Sequence, residues 1–189
     1  MKRTILAAAL FALGGAAHAE ALNLNVGSRA VHLDFGGPMG QVSSAAHGVY
    51  EVGGLYHSQD NADYKEAYVG LGVHGDMGVT NAKVDAGVGL RGMYVDNENG
   101  NGEVVAFTGN VNMRFPQINR FVFSLEGAYS PDPLSFGDAK EYTELGLSAG
   151  YEVIHNAQVY FGYRNVGADF GGGRHTVDNG FLGGVLFQF

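Results

Sequence analysis

The amino-acid sequence predicts an all-β protein, a transmembrane up-and-down antiparallel β-barrel of the Gram-negative outer membrane. Apolar and polar residues alternate over most of the chain, as they do in strands whose two faces meet different surroundings. In the clearest of these segments, the charged residues all fall on one face. The chain ends in GFLGGVLFQF, where Phe181, Val185, Phe187 and Phe189 share one parity. This pattern predicts a strand that continues to the last residue.

The first 19 residues, MKRTILAAALFALGGAAHA, predict a cleaved secretory signal peptide. Lys2 and Arg3 precede an apolar run, and residues 17–19 have the small-x-small pattern of a cleavage site. The run is shorter than the ~20 residues that a membrane-spanning helix needs. We therefore expect a leader at 1–19 that is removed during export and a barrel domain at 20–189.

Composition restricts the classes of partner. The chain has 11 basic and 19 acidic residues, and without Lys2 and Arg3 nine basic residues remain, a net charge of −10. This excess argues against nucleic acid and anionic lipid as partners. There is no cysteine, so disulfides do not stabilise this exported domain. No segment after residue 19 is long and apolar enough for a membrane helix, which leaves strands as the way to cross a bilayer.

The segment 81–95, NAKVDAGVGLRGMYV, shows the alternation most clearly. One face is apolar from Ala82 to Tyr94, and the other carries Lys83, Asp85 and Arg91. A soluble β-sandwich also alternates, but here the expected connections differ in length from one side to the other. GDMG, PQIN and EVIHN are short, whereas SQDNAD, DNENGNG, SPDPLSFGDAK and NVGADFGGGRHTVDN are longer or polar. Short turns on one side and longer loops on the other are typical of outer-membrane barrels.

The number of strands depends on the first mature segment, ALNLNVGSRAVHLDF. Leu22, Leu24 and Val26 alternate on one parity, whereas Val31 and Leu33 alternate on the other. A tight hairpin at GSR gives ten strands, and a bulge with an unpaired lead-in gives eight. Bacterial single-chain barrels have even numbers of strands, and we expect ten.

Aromatic residues on the apolar faces form two bands. Membrane barrels have such bands, called aromatic girdles, at the two interfaces between lipid and water. Tyrosine suits this position because its ring is apolar and its hydroxyl can form hydrogen bonds with water. The band near the longer loops contains Tyr56, Tyr94, Tyr129 and Tyr163, and the band near the short turns contains Phe115, Phe121, Tyr151 and Phe187.

The charged residues on the opposite faces predict an interior charge network. It comprises Glu51, Lys83, Asp85, Arg91, Arg114, Glu126, Glu144 and Arg164. Barrels of about eight strands are just wide enough for side chains to fill, and buried charges need partners. A packed ion-pair network that plugs the barrel is therefore favoured over a small pore lined by the same residues.

The predicted loops offer weak candidates for chemistry. His57, Asp60, Asp63 and Glu66 cluster around one loop, but neighbouring Ser58 tends to point away from His57, and no catalytic motif is present. We expect no catalytic residues, with a lipid hydrolase at the rim as the enzymatic alternative. DNENGNGE at 96–103 has oxygen ligands at calcium-like spacing but not the full calcium-loop pattern. GADFGGGRH has glycines without a following helix, which disfavours a phosphate site. No metal or cofactor is expected.

Several segments resemble the YfaZ family of outer-membrane proteins. They are ALNLNVG, YSPDPLSFGDAKEYTELGLSAGYEV and VYFGYRNV, with LSFGD and YTELGLSAGY as the most specific parts. The terminal GVLFQF is similar to the signal read by the barrel-assembly machinery, with Gly184, Phe187 and Phe189 in register and Leu182 where a polar residue is usual. The resemblance implies an outer-membrane barrel and brings no catalytic residues.

Together these patterns predict a monomeric barrel of structural or interaction type, or a very narrow channel. A small-solute pore is the first alternative, a lipid-modifying enzyme at the rim is the second, and a soluble periplasmic barrel with a ligand cavity is also open. The expected partners are outer-membrane lipid and, during export, the barrel-assembly machinery and periplasmic chaperones.

Overall fold

The computed structural model describes residues 20–58, 63–98 and 100–189, so the leader predicted at 1–19 lies outside the described residues. Antiparallel strands, each paired with the next, close into a ring of ten, and one three-residue strand, β8, lies in a loop. The strands are β1 Ala21–Gly27, β2 Ala30–Ser43, β3 Ala46–His57, β4 Tyr64–Asp76, β5 Lys83–Asn97, β6 Gly100–Arg114, β7 Phe121–Ser130, β8 Ser135–Gly137, β9 Glu141–Ile154, β10 Ala157–Asp169 and β11 Arg174–Gln188. Two short 3₁₀ helices, Pro116–Ile118 and Asp132–Leu134, lie in the connections.

The last strand closes the barrel against the first. β11 pairs with β1 from Ala21↔Gln188 to Gly27↔Leu182. Beyond this ladder, Glu20 N donates to Phe189 O at 2.8 Å and Phe189 N donates to Glu20 O at 2.9 Å. Closure satisfies the backbone groups that an open edge would leave unpaired. This pairing explains why the strand pattern continues to the final phenylalanine.

The predicted hairpin at GSR is present and gives the count of ten barrel strands. β1 ends at Gly27, β2 begins at Ala30, and Val26 pairs with Val31 across the two-residue turn. Because the turn has two residues, the outward-facing residues are even-numbered in β1 and odd-numbered in β2. The alternation of the sequence therefore changes phase at GSR. The alternative of eight strands is wrong.

We call the end of the barrel that carries both termini the terminal end, and the opposite end the loop end. The loop-end connections are 28–29, 58–63, 98–99, 131–140 and 170–173, and the terminal-end connections are 44–45, 77–82, 115–120 and 155–156. The predicted contrast in connection length is therefore wrong in part: DNENGNG and the NVGADFGGGRHTVDN stretch lie mostly within strands that continue past the expected loop boundaries. The ten-residue connection 131–140 marks the loop end as the extracellular one.

The apolar faces of the strands form the outer surface of the barrel. Val88 is 72% exposed on this surface, and many of its neighbours are similarly open. A soluble barrel would bury these side chains in a core, so the outer surface is that of a barrel in lipid. The most exposed apolar residues along the strands include Val69, Leu71, Phe107, Leu145, Leu147, Phe161 and Phe181.

Among the described residues, no helix is long and apolar enough to span a membrane.

The aromatic residues predicted to form girdles all lie on the outer surface. Tyr56, Tyr94 and Tyr129 lie near the loop end of their strands, whereas Tyr163 is at the middle of β10, because that strand continues to Asp169. At the terminal end, the rings of Phe121 and Tyr151 meet edge to face with centroids 5.1 Å apart, Phe187 is exposed, and Phe115 is half-buried.

A charge on the outer surface should destabilise the barrel in a bilayer. Val88→Arg is expected to lower the free energy of unfolding by about 2–4 kcal/mol, the cost of arginine at the lipid midplane. The matched control is Val79→Arg, in the terminal-end connection 77–82, where Val79 is exposed and should tolerate the charge. Urea unfolding from lipid vesicles, followed by the mobility shift of the folded band on electrophoresis, measures the difference. Equal stability of the two variants would contradict a lipid-facing Val88.

Candidate functional site

The half of the lumen nearest the loop end is filled with packed side chains, which we call the plug. They project inward from the barrel strands, and each is almost inaccessible to solvent. Tyr142 is 1% exposed although it lies inside a barrel that is open to water at its other end. The plug consists of Ala30, Leu55, Tyr64, Tyr68, Met93, Val95, Val104, Ala106, Ala128, Tyr142 and Val166.

The connection 131–140 covers the loop end of the plug. Its strand β8 pairs with β6 from Gly102↔Gly137 to Val104↔Ser135. Ala139 in this connection is buried, and Phe170 of the 170–173 connection is buried in the same cluster. We call the connection 131–140 the lid, because it lies over the plug at the loop end of the described part of the chain.

The lid depends on the absence of a side chain at Gly102. A Cβ there would overlap the backbone oxygen of Phe136 and lie 2.7 Å from Ala139 Cβ. Gly102→Ala is therefore expected to displace the lid and to speed tryptic cleavage after exposed Lys140 by on the order of tenfold, because cleavage follows the population of the open segment. The matched control is Gly109→Ala on the same strand, where a Cβ would meet only Gly87 O at 3.8 Å. Cleavage at the wild-type rate in Gly102→Ala would show that the lid does not need this contact.

Arg91 is the centre of the charged part of the lumen. Its Nε and Nη2 donate to the two carboxylate oxygens of Glu51 at 2.8 and 3.1 Å, and its Nη1 donates to Glu144 Oε2 at 2.9 Å. Its Cζ lies 4.2 Å from the ring centroid of Tyr68, whose hydroxyl is 2.8 Å from His32 Nε2. Bidentate, charge-assisted pairing of this kind fixes the guanidinium plane, so Arg91 connects β3, β5 and β9 across the lumen.

A third carboxylate is held beside this network by phenols. Tyr64 and Tyr142 donate to Glu66 Oε2 at 2.9 and 3.1 Å, and Tyr142 Oη also lies 3.2 Å from Glu144 Oε2. Sequence reasoning did not single out Tyr64, Tyr68 or Tyr142. Their inward parity was readable, but the contacts of Tyr142 with Glu66 and of Tyr68 with His32 join different strands.

Arg164 forms a separate buried cluster near the loop end. Its Nε donates to Asp178 Oδ2 at 2.9 Å, its Nη1 donates to Asn25 Oδ1 at 3.1 Å, and the side chain is 2% exposed. His57 Nδ1 lies 3.3 Å from Asp178 Oδ1. Asp178 was not among the predicted network residues. It lies in NVGADFGGGRHTVDN, which was predicted to be a loop, whereas in the structure Asp178 is part of β11.

The terminal half of the lumen is an open cavity, which we call the vestibule. It has a volume of about 470 Å³ and reaches from Ala21 and Gln188, near the chain ends, to Arg91 and Glu144. Most of its lining groups can form hydrogen bonds. They include Asn23, His32, Asp34, His47, Glu51, His74, Asp85, Thr108, Asn110, Asn112 and Glu126.

Glycines make room for the larger vestibule side chains, which lie flat against the neighbouring strand. A Cβ on Gly146 would lie 2.6 Å from Glu126 Oε1, and a Cβ on Gly70 would overlap the Glu51 carboxylate. The His74 ring occupies the space above Gly87 in the same way. The glycines therefore keep the centre of the vestibule open.

The structure does not gather the eight predicted network residues into one cluster. Arg91, Glu51 and Glu144 are together, Arg164 is in its own cluster, and Asp85 Oδ1 lies 3.5 Å from His74 Nδ1. Arg114 Nη1 pairs with Glu152 at 2.6 Å at the terminal end.

The remaining two residues, Lys83 and Glu126, form no ion pair with any residue that the structure describes. Lys83 is exposed at the start of β5. Glu126 faces the vestibule without a hydrogen bond or ion pair to any residue in the described part of the chain.

The loop candidates for chemistry do not assemble into an exposed site. His57 and Glu66 are buried and face the lumen. Asp63 is exposed and accepts hydrogen bonds from Tyr56 and Ser58, and Asp60 lies outside the described residues.

The two other loop motifs have structural roles. Within DNENGNGE, residues 96–97 end β5 and residues 100–103 begin β6, and Asp96 pairs with Asn101. In the described ranges no group of three or more side chains is arranged to hold a metal ion. The glycine amides at 171 and 173 donate to Asp169 Oδ1 at 2.7 and 3.1 Å, so this carboxylate occupies the position that an anion would take.

Comparison with known proteins places the chain in a family. A family model described as YfaZ precursor matches residues 1–189. The chain belongs to the YfaZ family. This assignment confirms the resemblance seen in the sequence. No curated protein matches the chain.

Several solved outer-membrane barrels have a distantly similar shape. The NanC porin is 11% identical, with 92% of this chain and 100% of that chain covered and a TM-score of 0.48. The KdgM porin in complex with disordered oligogalacturonate is 12% identical, with 90% and 99% covered and a TM-score of 0.44. The outer membrane channel DcaP of Acinetobacter baumannii is 13% identical, with 88% and 54% covered and a TM-score of 0.43. Similarity at this level carries no argument about the lumen of the YfaZ-family barrel.

The family description and the apolar exterior agree on where the protein resides. A precursor family is consistent with export, and a closed strand barrel with an apolar outer surface is the form that crosses the outer membrane. The YfaZ-family chain is an exported outer-membrane β-barrel.

Proposed function

We propose that this YfaZ-family protein is a non-catalytic barrel of the structural or interaction class, with a lumen that is closed to the cell exterior and open to the periplasm. The single observation that supports the proposal is the plug. Its side chains pack together across the described part of the lumen at the loop end, whereas the vestibule of about 470 Å³ begins directly below them. An interior that is open at one end only can receive a ligand but cannot pass it on.

Planar-bilayer recording of the purified, refolded barrel tests this proposal. Wild-type protein is expected to give no conductance steps above the bilayer baseline at moderate voltage, because ions would have to enter the dry cluster around Tyr142. A heat-dependent mobility shift on electrophoresis shows that the recorded sample is folded. Regular, resolvable steps from folded wild-type protein would contradict the closed lumen.

A small-solute pore is the second candidate, and the vestibule is the observation that favours it. In this case the plug would be a gate that moves, and the glycine-lined wall would be one half of a permeation path. Liposome swelling with small neutral sugars distinguishes the two functions, since a pore admits the sugar and a closed barrel does not.

A further inference from the structure

We propose that the vestibule is a binding site for a small organic cation of the amine class, entering from the periplasm. This inference rests on the proposed function, because it names the kind of ligand that a lumen open only to the periplasm would hold. Three observations support it. Carboxylates outnumber basic side chains in the cavity, Arg91 already donates all of its guanidinium nitrogens to Glu51 and Glu144, and Glu126 has no hydrogen-bond partner among the described residues. A volume of about 470 Å³ is within the range of small-molecule sites.

The charged lining of the vestibule is strongly one-sided. Among the described residues that line it, Arg91 is the only arginine or lysine, against five carboxylates: Asp34, Glu51, Asp85, Glu126 and Glu144. All three guanidinium nitrogens of Arg91 already donate to Glu51 and Glu144. Arg91 therefore neutralises the inner end of the cavity and has no guanidinium nitrogen left for the other three carboxylates.

The other three carboxylates have no arginine or lysine partner within the described ranges of the chain. Asp34 Oδ2 accepts from Asn23 Nδ2 at 3.3 Å and lies 3.3 Å from His32 Nδ1. Asp85 faces His74. Glu126 has neither a hydrogen bond nor an ion pair among the described residues, and its side chain is open to the lumen.

The position of Glu126 is set by the barrel wall. It projects from β7 and lies across Gly146 of β9, at the position where Glu126 pairs with Gly146 in the sheet. Asn110 pairs with Glu126 from the other side. A carboxylate held in this way inside a narrow, low-dielectric wall attracts a cation more strongly than one at an open surface.

The remaining lining suits an ammonium group rather than an anion or an apolar ligand. Amide and hydroxyl oxygens of Asn110, Asn112, Thr108 and Ser124 surround the lumen near Glu126 and can accept hydrogen bonds from N–H groups. An anion would meet the excess of carboxylates. An apolar ligand would leave the amides unpaired, at a cost in free energy.

Isothermal titration of the refolded barrel in non-ionic detergent at pH 7 and low salt tests the inference, with spermidine as the probe. Spermidine is expected to bind with one site per barrel, and triethylene glycol, a neutral molecule of similar length, is expected not to bind. Glu126→Gln should weaken spermidine binding on the order of tenfold. Asp85→Asn provides a second variant in case Glu126→Gln does not fold.

The matched control is Glu103→Gln, which removes an exposed carboxylate from the outer face of β6 and should leave binding unchanged. Equal weakening by Glu103→Gln and Glu126→Gln would overturn the site, since it would show that net charge alone attracts the probe. Tighter binding of Mg²⁺ than of spermidine would overturn the amine class. The titration measures binding and not conductance, so the two proposals fail separately. Conductance through the wild-type barrel would contradict the closed lumen, and failure to bind spermidine would contradict the amine site.

Discussion

Replacing Arg164 with alanine is expected to lower the free energy of unfolding by about 3–5 kcal/mol, the range for breaking a buried ion pair by removing one partner. The side chain is 2% exposed, and it contacts both Asp178 and Asn25. Without the guanidinium, Asp178 would remain buried beside His57, with no arginine to neutralise it. The loss should therefore include the desolvation cost of an uncompensated carboxylate as well as the lost hydrogen bonds.

Arg114→Ala is the matched control, because it also removes one arginine from one carboxylate. The Arg114 side chain is 36% exposed and pairs with Glu152 at the terminal end. An ion pair with this much solvent contributes about 0–1 kcal/mol. Urea unfolding of both variants in detergent micelles, followed by the electrophoretic shift, measures the difference. Similar losses for the two variants would mean that Arg164 is not held in a dry, paired environment.

Removing two of the three plug tyrosines, Tyr64 and Tyr142, should convert the closed barrel into a conducting one. Tyr64→Ala combined with Tyr142→Ala deletes two buried rings that meet at Glu66 Oε2. The space they leave joins the vestibule to the underside of the lid, and Glu66 would then face water. In planar bilayers, we expect resolvable steps that favour cations, because the exposed groups are Glu66 and Glu144.

The control for this experiment is Tyr129→Ala combined with Tyr163→Ala, which removes two tyrosine rings from the outer surface instead of from the lumen. This variant should stay at the wild-type baseline. If the plug variant gives no folded band, the single Tyr142→Ala variant, which keeps Tyr64 and Tyr68, takes its place. A folded plug variant that does not conduct would show that the lid alone closes the barrel.

The barrel architecture was predictable from the sequence because the alternation of apolar and polar residues along a strand can be recognised from neighbouring residues alone. Residues 81–95 show which side chains face lipid, and the phase change at GSR shows where a new strand begins. The residues at which strands end and loops begin were harder to predict. β5, β6, β10 and β11 continue into polar residues, where the alternation of apolar and polar residues that predicted these strands ends.

The contacts inside the lumen were not predictable in the same way. Arg91 meets Glu51 and Glu144, which are 40 and 53 positions away along the chain. These pairings depend on the register of every strand between them and on the curvature of the sheet, neither of which can be read from a single sequence. One local signal was available. A glycine on the inward parity, such as Gly70 or Gly146, marks a place where a neighbouring strand lays down a large side chain.

The seam between β1 and β11 also has a consequence for the order of folding. It joins Ala21 to Gln188, whereas every other seam of the ring joins strands that follow one another along the chain. The entropic cost of closing a loop grows with its length, and contacts between distant residues slow folding. We therefore expect the seam to form last, after the hairpins have assembled into a curved sheet. Until that step, both edges of the sheet can pair with other chains, so a protein that lacks β11 should become a self-associating sheet rather than a smaller barrel.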